Sequence, residues 1–359
     1  MPSIALSASE RKIVVGVDTH KHLHVAVALD ALGTRVGERT VAADSAGYAE
    51  LEGWARSLGR VESIGIEGTG SYGAGLASHL RRQGYRIVEV NRGDRRMRRA
   101  NGKSDTLDAE AAARALLAGT ATAIPKSADG TSEMIRQIKI ARDTAVKSRT
   151  QAIISLKAIV VNAPPELREQ LDPLADKSLI GRCASLRPGP ITTPLASVKH
   201  TLRALARRWL DLASEIAGHD VVLERLTRES APSLREGFGI GADTAAEMMI
   251  LFGDNPERIR SEAAFSKLCG ASPIPASSGM TTRHRLSRGG HRQANAALYR
   301  VVIVRMRFHQ PTIDYVARRS AEGLSKRDII RCLKRFLARE IYRRVMTDHA
   351  RSEVLQATS

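Results

Sequence analysis

Strand-forming signal in this chain of 359 residues is confined to its N-terminal third. From Lys12 the sequence reads KIVVGVD, then HLHVAVALD, then TRVGERTVAA, each separated by a short polar break, as in a three-strand antiparallel meander. A helix capped by Ser45 and running to about Leu58, the apolar strand VESIGIE, a helix from Ser71 to Gln83 and the strand RIVEV complete the order βββαβαβ. Beyond about Gly119 no period-two alternation recurs. The chain therefore has one α/β domain to build, and the rest must pack as helices and loops.

The stretch DTLDAEAAARALLAG after Ser104 is rich in alanine and leucine and predicts a helix. Residues 131–162 form one long basic helix, ended by Ala163-Pro164-Pro165. Residues 199–228 carry a heptad, with Leu202, Trp209, Ile216 and Leu223 at one position and Leu205, Leu212, His219 and Leu226 three residues on. That pattern predicts a coiled coil and, through it, a homodimer or homotetramer. His219 reads as a partner-specifying polar residue in the seam, with a metal ligand or pH switch as the alternatives. Residues 166–198 read as a loop or hinge, and residues from Pro232 as a compact, basic, mostly helical region ending in a helix from Lys326 to Arg344. The domain boundaries expected are 1–125, 126–230, 231–348 and a tail at 349–359.

Charge narrows the partners. Lys plus Arg number 56 against 38 acids, a net charge of +18, which favours an anionic polymer, above all nucleic acid. Arg81 to Lys103 holds nine basic residues, among them Arg95, Arg96, Arg98, Arg99 and Lys103, and residues 281–308 hold seven arginines and no acid. With aromatics at 4%, contacts should be mostly to phosphate rather than by base stacking. The three cysteines, Cys183, Cys269 and Cys332, are too scattered for a disulfide framework or a zinc knuckle, which fits a reducing cytoplasm. No apolar run suits a bilayer and MPSIALSASERK lacks the apolar core of a signal peptide, so no membrane partner is expected.

Four acids carry the chemistry. Asp18 ends the first strand, Glu67 ends VESIGIE, and Asp105 and Asp108 share one face at the start of a helix. If the first and fourth strands are neighbours, Asp18 and Glu67 leave the same sheet edge, and a helix across that edge presents the other two. Such a cluster repels itself unless divalent cations neutralise it, and hard oxygen donors suit Mg2+ or Mn2+. Singly, each acid also reads as a turn residue or helix cap. His20, His22 and His24 alternate as on one strand face, with His20 within reach of Asp18.

A competing motif lies at the same place. Gly68-Thr69-Gly70-Ser71-Tyr72-Gly73 matches G-x-G-x-x-G between strand and helix, and Glu89 closes the next strand. Three meander strands precede it, where a dinucleotide fold normally begins with it, so the metal reading is preferred. Gly239-Ile240-Gly241 suggests the hairpin of a helix-hairpin-helix, with Gly239 and Gly241 letting backbone amides grip a DNA phosphate; a helix-capping turn is the alternative.

Taken together, VGVDTHK, IEGTGSYG, NGKSDTLDAEAAARAL and the distal FGIG, FSKLCGASPIPASSG and LSRGGHRQANAALYRV resemble the transposases of the insertion-sequence family numbered one hundred and ten, relatives of the Piv DNA invertase. The resemblance implies an RuvC-like, RNase H-fold N-terminal domain whose Asp-Glu-Asp-Asp set falls on Asp18, Glu67, Asp105 and Asp108, and a mostly α C-terminal transposase domain. It also implies a serine nucleophile in Ala276-Ser277-Ser278-Gly279; Ser278, directly before the glycine, is the expected residue, with Ser277 the alternative register. Arg283, Arg285, Arg288 and Arg292 lie close by in sequence and suit stabilisation of a phosphorane. Donor and target DNA, and a structured guide (bridge) RNA, are the partners implied. A metal-dependent junction nuclease without covalent intermediate and a non-enzymatic basic nucleic-acid-binding protein remain the alternatives.

Overall fold

The structure, a computed structural model, describes residues 11–90, 104–277, 280, 284, 285, 287 and 289–357, with side chains through Val354. It divides into two compact units, Met1–Ser127 and Ala128–Ser359.

In the first unit β1 (Lys12–Thr19), β2 (Leu23–Asp30) and β3 (Arg35–Ala42) form the meander, followed by α1 (Ser45–Leu58), β4 (Arg60–Glu67), α2 (Ala74–Arg82), β5 (Ile87–Val90) and α3 (Asp105–Leu117). The sheet order is β3-β2-β1-β4-β5, antiparallel within the meander and parallel from β1 through β4 to β5. Alternation on β1 sorts the two faces. Ile13, Val15 and Val17 join Ile64 and Ile66 against Leu51, Leu76 and Leu80 of α1 and α2, whereas Val14 joins Val25, Val27 and Leu29 against Ala109 and Ala113 of α3.

Two helix starts shift from the sequence expectation. Asp44, not Ser45, caps α1, its Oδ1 accepting from the Gly47 amide at 2.9 Å. The helix expected from Ser71 begins at Ala74, because Gly68 to Gly73 close a turn in which the Ser71 and Gly73 amides both donate to the Gly68 carbonyl, at 2.8 and 3.1 Å. The glycines of the dinucleotide-like motif thus shape the turn that follows Glu67. The three histidines do not share a strand face: His20 and His22 lie in the β1–β2 connection, and His24 alone is in β2, buried beside Tyr48 with ring centroids 5.8 Å apart.

The second unit consists of α4 (Thr131–Val161), α5 (Pro165–Leu171), α6 (Asp176–Ala184), α7 (Pro194–Ser230), α8 (Pro232–Arg235), α9 (Ala242–Phe252), α10 (Glu262–Leu268), the two-residue strands β6 (Ile274–Pro275) and β7 (His284–Arg285), α11 (Arg292–Phe308), α12 (Gln310–Ala321) and α13 (Lys326–Ala357). The 166–198 stretch is largely helical rather than loop. Pro165, just before it, and Pro194, near its end, occupy first-turn positions of helices, where a missing amide costs nothing.

Of the α7 heptad, Leu202, Ile216, Leu223 and Leu226 are buried within this chain. α4 and α7 run antiparallel: Ile135 meets Leu223 and Leu226 in one core, and Leu156 and Val160 meet Leu202 and Ala206 in another. Between these ends the Arg142 Nε–Asp220 Oδ1 ion pair spans 2.5 Å and the Arg149 guanidinium stands 5.4 Å above the Trp209 ring. Within this chain α4 packs on both ends of the seam expected to hold a second subunit, and Leu205, Trp209, Leu212 and His219 stay half-buried there. His219 lies beside Glu215, 3.6 Å away, at the edge of this seam. The helical middle and the C-terminal region share a core, since Ile135, Leu223 and Leu226 pack with Phe252, Val301 and Ile341. The expected tail at 349–359 continues α13 to Ala357; buried Asp348 anchors it by accepting from the Ser233 and Leu234 amides at 2.9 and 3.0 Å.

Candidate metal centre

Alternation and pairing set the first half of the site. Val17 pairs with Ile66 across parallel β1 and β4, so Asp18 and Glu67 stand one residue on, at the same sheet edge. Val14, Gly16 and Asp18 alternate onto the face that α3 covers. Beyond Glu67 the chain turns sharply at Gly68, whose φ of +69° an L side chain rarely adopts. The Thr19 hydroxyl donates to the Glu67 carbonyl at 2.8 Å, tying the two strand ends together.

The second half arrives on α3, whose first turn carries Asp105 and Asp108. What brings it close is Gly16. A Cβ there would lie 2.0 Å from the Ala109 carbonyl oxygen and 2.3 Å from the Ala113 amide nitrogen, so the helix backbone rests directly on the strand. The alanines of AEAAARA on that helix face complete the close approach; Ala109, Ala112 and Ala113 are buried. α3 is thereby held across the edge with its first turn over the end of β1.

His20 bridges the two halves. Its Nε2 is 3.2 Å from Asp18 Oδ2 and 3.3 Å from Asp105 Oδ2, and the three ligand atoms lie within 4.8 Å of one another. Asp18 is buried while His20, Glu67, Asp105 and Asp108 are half-buried, a cluster closed on the protein side and open toward solvent. Burial pushes the Asp18 carboxyl above its ordinary value; His20 opposes the rise, and Glu67, Asp108 and Asp105 add to it in that order. The other three sequence-predicted acids thus all act on Asp18. The donor chemistry fits a hard divalent cation: carboxylate oxygens converge where like charges are short of compensation, and an imidazole nitrogen is available beside them.

His20 was legible only as a neighbour of Asp18; its bridging position depends on the tight β1–β2 connection, in which the His20 amide donates to the Leu23 carbonyl at 3.1 Å. Gly16 carried no motif, although a glycine in an otherwise β-branched strand marks a close backbone approach.

Of the other predicted residues, Ser278, Arg283, Arg288, Arg95, Arg96, Arg98, Arg99 and Lys103 lie outside the described residues. Ser277 is exposed just after β6, Arg285 is exposed on β7, and Arg292 is exposed at the start of α11. Gly239 sits in the turn between α8 and α9, and Gly241 occupies the N-cap of α9. The first turn of α9 holds its own anion, Asp243, bound by Lys139 at 2.8 Å, Arg300 at 3.0 Å and Arg142 at 3.3 Å. The thiols of Cys183 and Cys269 are buried and pushed up to about 11 and about 12, and no helix among the described residues is long and apolar enough to cross a membrane.

No curated protein matches the chain. Two protein-family models do: the DEDD transposase model of the IS110 group over residues 15–165, and a model described as transposase, IS116/IS110/IS902 family, over residues 231–317. The first spans the whole acidic cluster and the second the region from α8 into α12. The chain belongs to the IS110 family of transposases, enzymes that cut and rejoin DNA.

Proposed function

We propose that this transposase breaks and rejoins donor and target DNA through a covalent link to Ser278, assisted by Mg2+ (or Mn2+) held by Asp18, Glu67, Asp105 and Asp108, under the direction of a structured bridge RNA. The observation that carries the metal part is the meeting of Asp18, His20 and Asp105 ligand atoms within 4.8 Å, at an edge where Glu67 and Asp108 add negative field. The sheet order β3-β2-β1-β4-β5 with α3 across it supports an RNase H-fold, RuvC-like assignment for the domain.

Bound there, a divalent cation supplies charge neutralisation for a phosphodiester approaching the acids. His20 orients Asp18 and Asp105 by sharing its Nε2 between them, and the α3 backbone, seated on Gly16, keeps the helical pair in register with Asp18. In the serine step the Ser278 hydroxyl loses its proton to a nearby base and attacks phosphorus, and the bond from phosphorus to the departing sugar oxygen breaks. That oxygen leaves as a hydroxyl, and the phosphoserine ester retains the bond energy for rejoining when a second strand's hydroxyl reverses the exchange. The guide RNA is what the family resemblance implies, and the basic composition, at net charge +18, is consistent with it.

The test is direct. Ser278→Ala should abolish covalent protein–DNA adducts trapped by denaturation, and Asp105→Asn should abolish strand exchange in Mg2+. Hydrolysed ends without adducts in the unaltered protein would instead identify a metal-only nuclease. Purification without nuclease and sequencing of the bound nucleic acid should return one discrete structured transcript; a nucleic-acid-free preparation that is active alone would refute guidance.

A further inference from the structure

A hollow of about 590 Å3 in the second unit is used by none of the chemistry above. Its wall is formed by Gly270 to Pro273, by residues of β7 and by the N-terminal part of α13. Arg285, Arg331, Lys334 and Arg335 line it against one acid, Asp328. That acid is engaged: Arg331 donates to Asp328 Oδ1 at 2.9 Å and Ser325 Oγ to Oδ2 at 2.6 Å. Arg335 is likewise held, by Ser266 Oγ at 2.8 Å and Glu262 at 3.4 Å.

Lys334 is in a different position. It is 7% exposed, and its Nζ donates to Asn295 Oδ1 at 2.8 Å. Asn295 cannot turn away, because its Nδ2 donates to the Cys269 and Gly270 carbonyls at 2.8 and 3.1 Å. Among the described residues no carboxylate pairs with this ammonium, and burial followed by repulsion from Arg331 holds its pKa below the ordinary lysine value. The contrast is with the other buried lysine, Lys139, whose ammonium has Asp143, Asp243 and Glu247 all within 3.1 Å. A buried cation without an anion is costly, and the cost is recovered when an anion enters beside it.

We propose that this hollow binds a phosphodiester group of the DNA substrate, with Lys334 as its buried anchor and Arg285 as its outer clamp. The choice of DNA rests on the transposase reading. β6 and β7 are the paired arms of one hairpin, Ile274 opposite Arg285, and the residues joining them include the Ser277-Ser278 pair, so the hollow's wall and the serine segment belong to one stretch of chain. Lys334 and Arg285 act as positioning residues for a strand entering the hollow. Asn295 sets the ammonium's direction, and the flanking arginines supply the positive field that draws the phosphate in.

The experiment uses the full chain, Lys334→Met and Arg285→Gln, with two readouts. In the first, melting is compared in pyrophosphate and in chloride at matched ionic strength; pyrophosphate should raise the Tm of the unaltered protein and fail to raise that of Lys334→Met. In the second, affinity for a DNA duplex is measured across salt; each variant should flatten the slope of log affinity against log salt by about 0.9, the loss of one phosphate contact. Arg285 is exposed, so Arg285→Gln carries the second readout even if Lys334→Met folds poorly. Equal pyrophosphate shifts in the unaltered protein and Lys334→Met, or unchanged salt slopes in both variants, would overturn the assignment. So would a loss confined to an RNA duplex of the same sequence. Neither readout requires strand exchange, so absence of covalent adducts would defeat the serine reading and leave this one standing.

Discussion

Gly16 governs how near the two halves of the acid cluster come. Its missing Cβ is the space in which the α3 backbone lies, with the Ala109 carbonyl and Ala113 amide in contact distance. Gly16→Val should therefore cost more than the usual penalty for overpacking, about 1–3 kcal/mol, because backbone rather than a side chain must give way. It should also separate Asp105 and Asp108 from Asp18. Differential scanning calorimetry with and without Mg2+ checks both effects: a lower Tm, and a smaller rise on adding the metal. Asp18 predicts the opposite pairing of effects. Burial raises its carboxyl above 3.8, so without divalent cations the ionised form opposes folding, and stability falls as pH rises from that ordinary value through the raised one. Asp18→Asn should melt higher than the unaltered protein in EDTA at pH 7 and gain nothing from Mg2+. A variant that melts lower in EDTA would mean that the carboxylate is structural.

At the scale of elements, the pairing of α4 with α7 explains both what the sequence disclosed and what it withheld. Heptad spacing identified which face of α7 is apolar, and that face is the buried one. Spacing cannot say whose helix covers it, since a seam filled from within the chain has the same period as one filled by a partner. The short helix α5 escaped because proline reads as a breaker, yet Pro165 at a first-turn position starts a helix. Leu202→Ala should cost about 2–5 kcal/mol by the cavity it leaves, while the sedimentation coefficient of the folded protein stays unchanged. A shift to lighter species would restore the intermolecular coiled coil. α4 is also joined to α9, through the Lys139 network. Burial works against its ammonium, but Asp243 and Glu247 outweigh burial and raise its pKa above 10.5; Asp243, against its own burial, is held below 3.8 by Lys139, Arg300 and Arg142. The network's contribution is therefore lost on the alkaline side as pH climbs through the raised lysine value, and on the acid side as pH falls through the depressed aspartate value, leaving a plateau between. Lys139→Ala should cost about 3–5 kcal/mol across that plateau, because Glu247 stays buried without its cation; urea unfolding at pH 7 measures it.

Over the whole molecule, binding of nucleic acid and chemistry upon it draw on different residues. The meeting of Asp18 and Asp105, with Glu67 and Asp108 near enough to act on Asp18, was legible because it follows from strand order and helix spacing, which sequence carries. His20's bridge, and the lack of a carboxylate beside Lys334 among the described residues, were not, because each depends on distances between side chains that only folding fixes. Affinity has a more diffuse origin, a net charge of +18 spread over the chain, and such attraction scales with phosphates neutralised rather than with any one site. On the proposed reading the acid cluster enters that balance with the wrong sign: without metal its carboxylates repel a phosphate backbone. Asp18→Asn removes one negative charge, so in EDTA it should bind a DNA duplex at least as tightly as the unaltered protein, with the same dependence on salt, while strand exchange in Mg2+ disappears. Fluorescence anisotropy across a salt series and a strand-exchange assay on the same preparations separate the two. Loss of binding together with activity would mean that Asp18 holds up the nucleic-acid surface itself; retained binding with lost exchange assigns the carboxylates to chemistry and leaves affinity to the basic residues of the chain.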